Sequence, residues 1–521
     1  MLGELGRMGN RVVIFFQNLN EKQRLFLFVG LAFVLRLYAV LMAKGIAYDG
    51  AAYGFMARDF LRSGFIKGLS SPLHPFYPFL ISLISPDTSH VETAGRVISL
   101  VFGTLALIPV YYLAKEVVGY PGAIFSGLFY SFHPYLVTYS GMLLSEATYW
   151  GLLILSVYIF WTGQKKGKLW RISLSGIFLG LAYLTRPEGI GYVLVFTAWI
   201  IVDGILEKKW FKTLASVGIL ISTLLILVAP YVIFIHQETG GLLISKKAVA
   251  VQTNIIGESE EEVHRPTGGP VEERESGIVR IGKNMIRYVS FTTYHYLRAY
   301  HFTLWVFLLF GLIRVEPKWQ RGELFIASLV LFHLLSLSTF TDSTIRYSIP
   351  LIPVSLLWAG VGVLEMEKYL KKMAPSKAGG WIFIFVILAL LLQLPQSLKP
   401  ERLHRREQKE VGVWLKENTP PGSIIMSNSP QEIFYADREF IIIPEEVILL
   451  ERPEDIYPRM IEYAKEKRVQ YILVDKNTFK TKPDSIKPNR ASDLKEIYRR
   501  SQRDGSTIFI YEVLYYSERH K

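Results

Sequence analysis

Tyr48-Asp49-Gly50-Ala51-Ala52-Tyr53 places a carboxylate directly after the first long apolar run of the chain. Further on, Pro72-Leu73-His74-Pro75-Phe76-Tyr77-Pro78 holds a histidine between prolines. Crossing hydrocarbon requires neither group, and ionisable side chains at membrane depth mark sites because they are expensive there. Asp49 can serve as a general base for a hydroxyl within hydrogen-bond reach. It equally suits a helix N-cap, opening the amphipathic segment that holds Tyr53, Phe55, Phe60 and Leu61. His74 can bind a phosphate or orient a substrate, or simply turn the chain. A second acid, Glu146, follows Ser145 in Ser140-Gly141-Met142-Leu143-Leu144-Ser145-Glu146, and a buried acid needs a partner or a proton. It acts either in catalysis or as a polar contact between helices. Three arginines recur in matching places: Arg96, Arg186 in Thr185-Arg186-Pro187-Glu188-Gly189, and Arg346 before Tyr347. Single arginines near span ends usually snorkel to headgroups. Several on one face beside carboxylates suit an anionic ligand such as phosphate, which a guanidinium grips with two hydrogen bonds.

The elements that must position these groups are membrane spans. The 521 residues are 50% hydrophobic and 14% aromatic, with a mean hydropathy of +0.27. Apolar runs at 25–43, 95–115, 121–138, 143–162, 170–184, 188–203, 211–235, 301–315, 322–340, 347–365 and 380–395 predict about eleven spans, the shorter ones tilted, kinked or re-entrant. The net charge of +13 comes from short basic clusters between these runs. That pattern signals topology and contact with the bilayer, and excludes a groove that tracks nucleic acid. With no cysteine, disulfides and thiolate sites are excluded. The first apolar run is followed by no small-residue cleavage site and is read as a retained helix.

Placing the N-terminus in the cytoplasm puts Arg7, Arg11, Lys22 and Arg24 there. Lys165, Lys166 and Lys168 join them, as do Lys208, Lys209 and Lys212, Arg314, Lys318 and Arg321, and Lys368, Lys371, Lys372 and Lys377. The opposite short loops carry little beyond Arg186 and Arg346, as the positive-inside rule demands. The expected protein is multi-pass in the cell (plasma or inner) membrane. Its first loop, 44–94, a long loop, 236–300, and the tail from 400 all face outward. The long loop holds the acidic Glu258–Glu262 run and Gly268-Gly269 and reads as flexible. Residues 1–399 form the membrane domain and 400–521 an extracytoplasmic α/β domain. In that tail a helix over 402–418 ends at Thr419-Pro420-Pro421-Gly422, and strands are predicted at Ser423–Met426, Phe440–Pro444, Tyr471–Val474 and Thr507–Tyr511.

The order of these motifs resembles the GT-C superfamily of membrane glycosyltransferases, near the dolichyl-phosphate-mannose–protein mannosyltransferase and lipid A aminoarabinose transferase branches. The resemblance rests on Asp49-x-x-x-Tyr53-x-x-x-Ala57-x-x-x-Leu61-x-x-Gly64, His74-Pro75 and Gly95-Arg96. It continues through Ser140-Gly141 with Ser145-Glu146, Leu184-Thr185-Arg186-Pro187-Glu188-Gly189, and Arg346-Tyr347 with Pro350 and Pro353. It implies an α-helical polytopic, GT-C-like fold and transfer of a sugar from a polyprenyl-phosphate donor to a protein, lipid or glycan acceptor, with inversion. Asp49 would be the base and Glu146 the second catalytic acid. Tyr53, His74, Arg96, Arg186, Glu188, Arg346 and Tyr347 would line the substrate site. Many relatives carry Asp-Glu where this chain has Asp49-Gly50, so a metal site built on that pair is left open here; a divalent metal remains an option with no ligand cluster to hold it. Two other readings compete. An oligosaccharide transferase would share the phosphate clamp. A secondary transporter would call for inverted repeats and charges near mid-membrane, whereas here no repeat is visible and the polar groups gather at one boundary.

Overall fold

Long runs without a polar face can satisfy their backbone in lipid only as helices, and among the described residues each of the apolar segments above is mainly helical, some with breaks. The computed structural model describes residues 18–71, 73–246, 277–314, 319–339, 344–399, 404–444, 447, 453–475, 493–502 and 507–514. The Glu258–Glu262 run and Gly268-Gly269 lie outside them. Two compact units form: Met1–Leu41 with Ala57–Lys399, and Met42–Met56 with Pro400–Lys521.

In the first unit, six helices among the described residues are long and apolar enough to cross a bilayer, or seven if one bent pair counts as a span. The sequence expectation of about eleven included shorter and broken helices as well. In the most apolar 18-residue stretch of each helix, 89% of residues are buried in Ile345–Met373 and 67% in Val91–Val118, so these two are central, while Trp210–Thr239, at 28%, is peripheral. Helix α1 (Glu21–Met42) carries Arg36, fully buried. Its partner is a break: α2 (Tyr120–Phe132) stops before Pro134, and α3 (Pro134–Ser140) restarts there. His133, preceding the proline, is extended at φ −58°, ψ 120°, because a following proline disfavours the helical region. Pro134 has no N–H for the Tyr130 carbonyl. Arg36 supplies the missing donors, Nη2 to Tyr130 O at 3.2 Å and Nη1 to Ser131 O at 3.3 Å. Its guanidinium also lies 4.7 Å above the Tyr130 ring.

Glycine sets the closest helix crossing. A Cβ on Gly362 would meet the Phe307 carbonyl at 1.7 Å, and one on Gly311 the Trp358 carbonyl at 2.0 Å, so only hydrogen side chains permit this approach. A second break, bent by 82°, separates Tyr288–Tyr300 from Phe302–Ile313. At its corner His301 has φ 72°. Its ring is tied to Thr303 Oγ1 at 2.8 Å and Gln396 Oε1 at 3.0 Å.

The second unit is built on a five-stranded sheet, β1 Ile424–Met426, β2 Glu439–Ile441, β3 Tyr471–Val474, β4 Leu494–Ser501 and β5 Thr507–Val513, in the order β2-β1-β3-β5-β4. β1 pairs in parallel with β2 and β3, and β5 runs antiparallel to β3 and β4. Successive residues feed different cores: Met426, Ile472 and Tyr511 on one face, Ile425, Leu473 and Ile510 on the other. Burial on both faces explains why these strands read as unbroken apolar runs. The strand at 494–501 went unread because it is an edge strand whose Lys495, Glu496, Arg499 and Arg500 read as a polar stretch. The segment from residue 42 joins this unit through Phe55, whose ring stacks on Phe440 at 6.0 Å and meets Phe434 edge-on at 5.9 Å.

Candidate active site

Three helix boundaries in the first unit deliver charged side chains to one buried point. Helix α4 (Glu146–Lys166) begins with Glu146, which is fully buried and whose carboxylate suits the positive end of the helix dipole. Helix α5 (Leu169–Thr185) ends because Pro187 forces Arg186 into extended backbone at φ −152°, ψ 135°. Arg346 and Tyr347 ride on a one-turn helix, α6 (Ile345–Ser348), ahead of Pro350 and Pro353.

Glu146 Oε1 accepts from Arg186 Nη1 at 2.9 Å and also from Arg346 Nε. Arg186 Nη2 donates to Glu188 Oε1 at 3.0 Å. The Arg186 guanidinium lies 5.4 Å from the Tyr347 ring centre and 5.8 Å from that of Tyr149. Two carboxylates thus balance two guanidiniums, and the two buried members, Glu146 and Arg186, pair with each other, as buried charges need. Glu146 Oε2 and Glu188 Oε2 accept no hydrogen bond from the protein. Arg346 is the more open cation: its side chain is 22% exposed against 9% for Arg186.

A layer of aromatic and histidine side chains surrounds these charges. His74 is buried; its Nε2 sits 3.0 Å from Ser245 Oγ, and its ring meets Tyr183 and Tyr231 edge-on. Tyr231 donates to the Leu73 carbonyl and Tyr183 to that of Ile244. Lys246 donates to the carbonyls of Leu69 and Ser70. The residues after helix 210–239 are therefore fastened to the His74 turn. His333 bridges Tyr192 and the Tyr347 carbonyl.

The predicted site residues thus fall into several groups. Glu146, Arg186, Glu188, Arg346 and Tyr347 come together. His74 sits in its aromatic cage. Arg96 is buried and paired with Glu92 at 2.6 Å, one turn earlier on its own helix, and donates to the Val40 carbonyl. Asp49 and Tyr53 belong to the second unit; Asp49 is half-buried in the first turn of Tyr48–Ser63, and Tyr53 is buried. Sequence reasoning missed Tyr149, Tyr183, Tyr192, Tyr231 and His333, which look like ordinary span residues, and Ser245, which looks like an ordinary loop serine; only a histidine inside an apolar run gave a signal. Among the described residues no group of three or more His, Asp or Glu gathers as a metal site.

Residues 70–234 match the family model described as dolichyl-phosphate-mannose-protein mannosyltransferase. Solved structures share the fold across nearly the whole chain. ArnT from Cupriavidus metallidurans, solved bound to undecaprenyl phosphate, is 12% identical with a TM-score of 0.59, covering 94% of this chain and 98% of its own. The Archaeoglobus fulgidus oligosaccharyltransferase, tethered to an acceptor peptide, is 12% identical with a TM-score of 0.52, covering 94% of this chain and 74% of its own. A comparison with curated protein sequences returns no match. The chain therefore shares the fold of these two solved structures, and residues 70–234 match the mannosyltransferase family model.

Proposed function

We propose that the protein transfers a sugar from a polyprenyl-phosphate donor to an acceptor on the outer face of the membrane. The observation that carries this reading is the buried Arg186–Glu146–Arg346 group, set at the ends of helices whose opposite ends are basic. Lys165 and Lys166 close the helix that Glu146 opens, and Lys168 precedes the helix that Arg186 follows. Lys371 and Lys372 end the helix after Arg346. If basic ends face the cytoplasm, the site faces outward.

The leaving group of such a reaction is a lipid phosphate, already a stable anion, which needs charge stabilisation more than a proton. Arg346, the more open cation, meets the phosphate first, and Arg186 supports it. Glu146 holds both arginines in place until the phosphate replaces it as their partner. Glu146 is engaged by the two guanidiniums, and Asp49, the carboxylate that the sequence resemblance marks as base, takes the acceptor proton as the new glycosidic bond forms. Attack from the face opposite the phosphate inverts the anomeric carbon. Purified protein given radiolabelled monosaccharide on polyprenyl phosphate should move the label to an acceptor. Transfer only from a lipid-linked oligosaccharide would make it an oligosaccharide transferase. No transfer, with solute flux instead, would overturn the reading.

A further inference from the structure

The segment that carries Arg346 cannot hold itself in place. It is a single helical turn, Ile345–Ser348, running into Ile349–Leu351. The residue three after Tyr347 is Pro350, which has no N–H to offer the Tyr347 carbonyl. A side chain from the neighbouring helix 321–337 makes that bond: His333 Nε2 lies 2.8 Å from Tyr347 O. A carbonyl only accepts, so Nε2 carries the hydrogen and Nδ1 is the acceptor. The hydroxyl of Tyr192 stands 2.7 Å from Nδ1 and donates to it, and the two rings lie nearly parallel, 18° apart. Tyr192 is 1% exposed and His333 4%. The histidine is therefore fixed in one tautomer on a rigid support.

We infer that His333 is the positioning residue of the phosphate clamp, a role that rests on the reading of Arg346 and Arg186 as phosphate ligands. One hydrogen bond fixes the backbone at Tyr347 and through it two functional groups. Arg346 is the adjacent residue, and its Nε reaches Glu146. The Tyr347 ring lies against the Arg186 guanidinium. Losing the His333 bond frees a proline-interrupted segment to shift, and a bidentate grip on phosphate tolerates little displacement.

The test compares undecaprenyl phosphate with undecaprenol, binding each to the purified full-length protein in nanodiscs. The ratio of the two affinities reports the phosphate grip alone, because loss of stability or of the lipid groove affects both ligands. Wild type should prefer the phosphate, and Arg346→Ala should reduce that preference by about tenfold or more. His333→Leu should reduce it by about three- to tenfold, and His333→Gln, which keeps an N–H at similar reach, should return it to within about twofold of wild type. A full preference in His333→Leu, alongside the expected loss in Arg346→Ala, overturns the role of His333 and leaves the clamp standing. No preference in wild type removes the clamp and this role with it. Should His333→Leu fail to fold, His333→Asn decides: its shorter amide cannot reach the Tyr347 carbonyl and should lower the preference, and an unchanged ratio overturns the assignment.

Discussion

Arg346 and Asp49 divide the proposed reaction between affinity and turnover, so their variants should separate in kinetics. Arg346→Ala removes the more open cation and should raise the donor KM by about tenfold or more. Arg346→Lys should recover only part of this, since an ammonium cannot reproduce a two-pronged grip. An unchanged donor KM in the alanine variant would take the phosphate away from this arginine. Asp49→Asn keeps the shape and leaves the arginine group intact. Its donor KM should hold while kcat falls by about 10² to 10⁴. Near-normal turnover in that variant would return the base role to Glu146. The sequence already named the members of the charged group, because Glu146, Arg186, Glu188 and Arg346 are costly residues in apolar company. It could not say that Glu146 lies between the two arginines. Nor could it expose His333 or the tyrosines, whose polar tips matter only once their neighbours are known.

At the scale of elements, proline explains both what the sequence revealed and what it concealed. Pro187 marks the break that presents Arg186, and it was legible as such. Pro134 marks another break, but its consequence, a buried arginine from a distant helix taking up the freed carbonyls, was not. Arg36→Leu should leave Tyr130 and Ser131 without donors and lower stability by about 1–3 kcal/mol, read as a fall in the detergent unfolding temperature. An unchanged midpoint would mean that water or another group serves those carbonyls. In the second unit, helix 430–436 buries Glu432 completely. Burial and the neighbouring Asp475 charge push its carboxyl up to about 8, against the smaller downward pull of its own N–H and Gln408. Ser429, placed to form a capping box with Glu432, bonds Asp475 at 2.8 Å instead. Between the unfolded value of 4.5 and about 8 the folded chain holds one more proton than the unfolded chain. Stability of this region therefore falls as pH rises through that window, by about 1.4 kcal/mol per unit, and levels off above it. Hydrogen exchange over 430–436 in the full chain, corrected for intrinsic rates, should lose protection with rising pH. Glu432→Gln should flatten the slope; an equal slope in both would assign it to another group.

At the scale of the whole molecule, four helical segments share one polarity: site residues at one end, lysines at the other. Glu146 faces Lys165 and Lys166 along a single helix, and Arg186 faces Lys168. Glu188 faces Lys208 along 187–207, and Arg346 faces Lys371 and Lys372. The fold brings the site ends together with no reference to a membrane, whereas the positive-inside rule assigns the basic ends to the cytoplasm with no reference to the fold. The last membrane helix, Ala378–Ser397, begins beside Lys377, so the chain that follows should emerge on the outer side. The absence of cysteine makes this directly measurable. Lys416→Cys and Lys166→Cys each place one thiol at an exposed position, on helix 404–418 and at the basic end of helix 146–166. In right-side-out vesicles a membrane-impermeant maleimide should label Lys416→Cys at once and Lys166→Cys only after permeabilisation. The reverse pattern would place the arginine group on the cytoplasmic face, and a donor presented outside could not reach it.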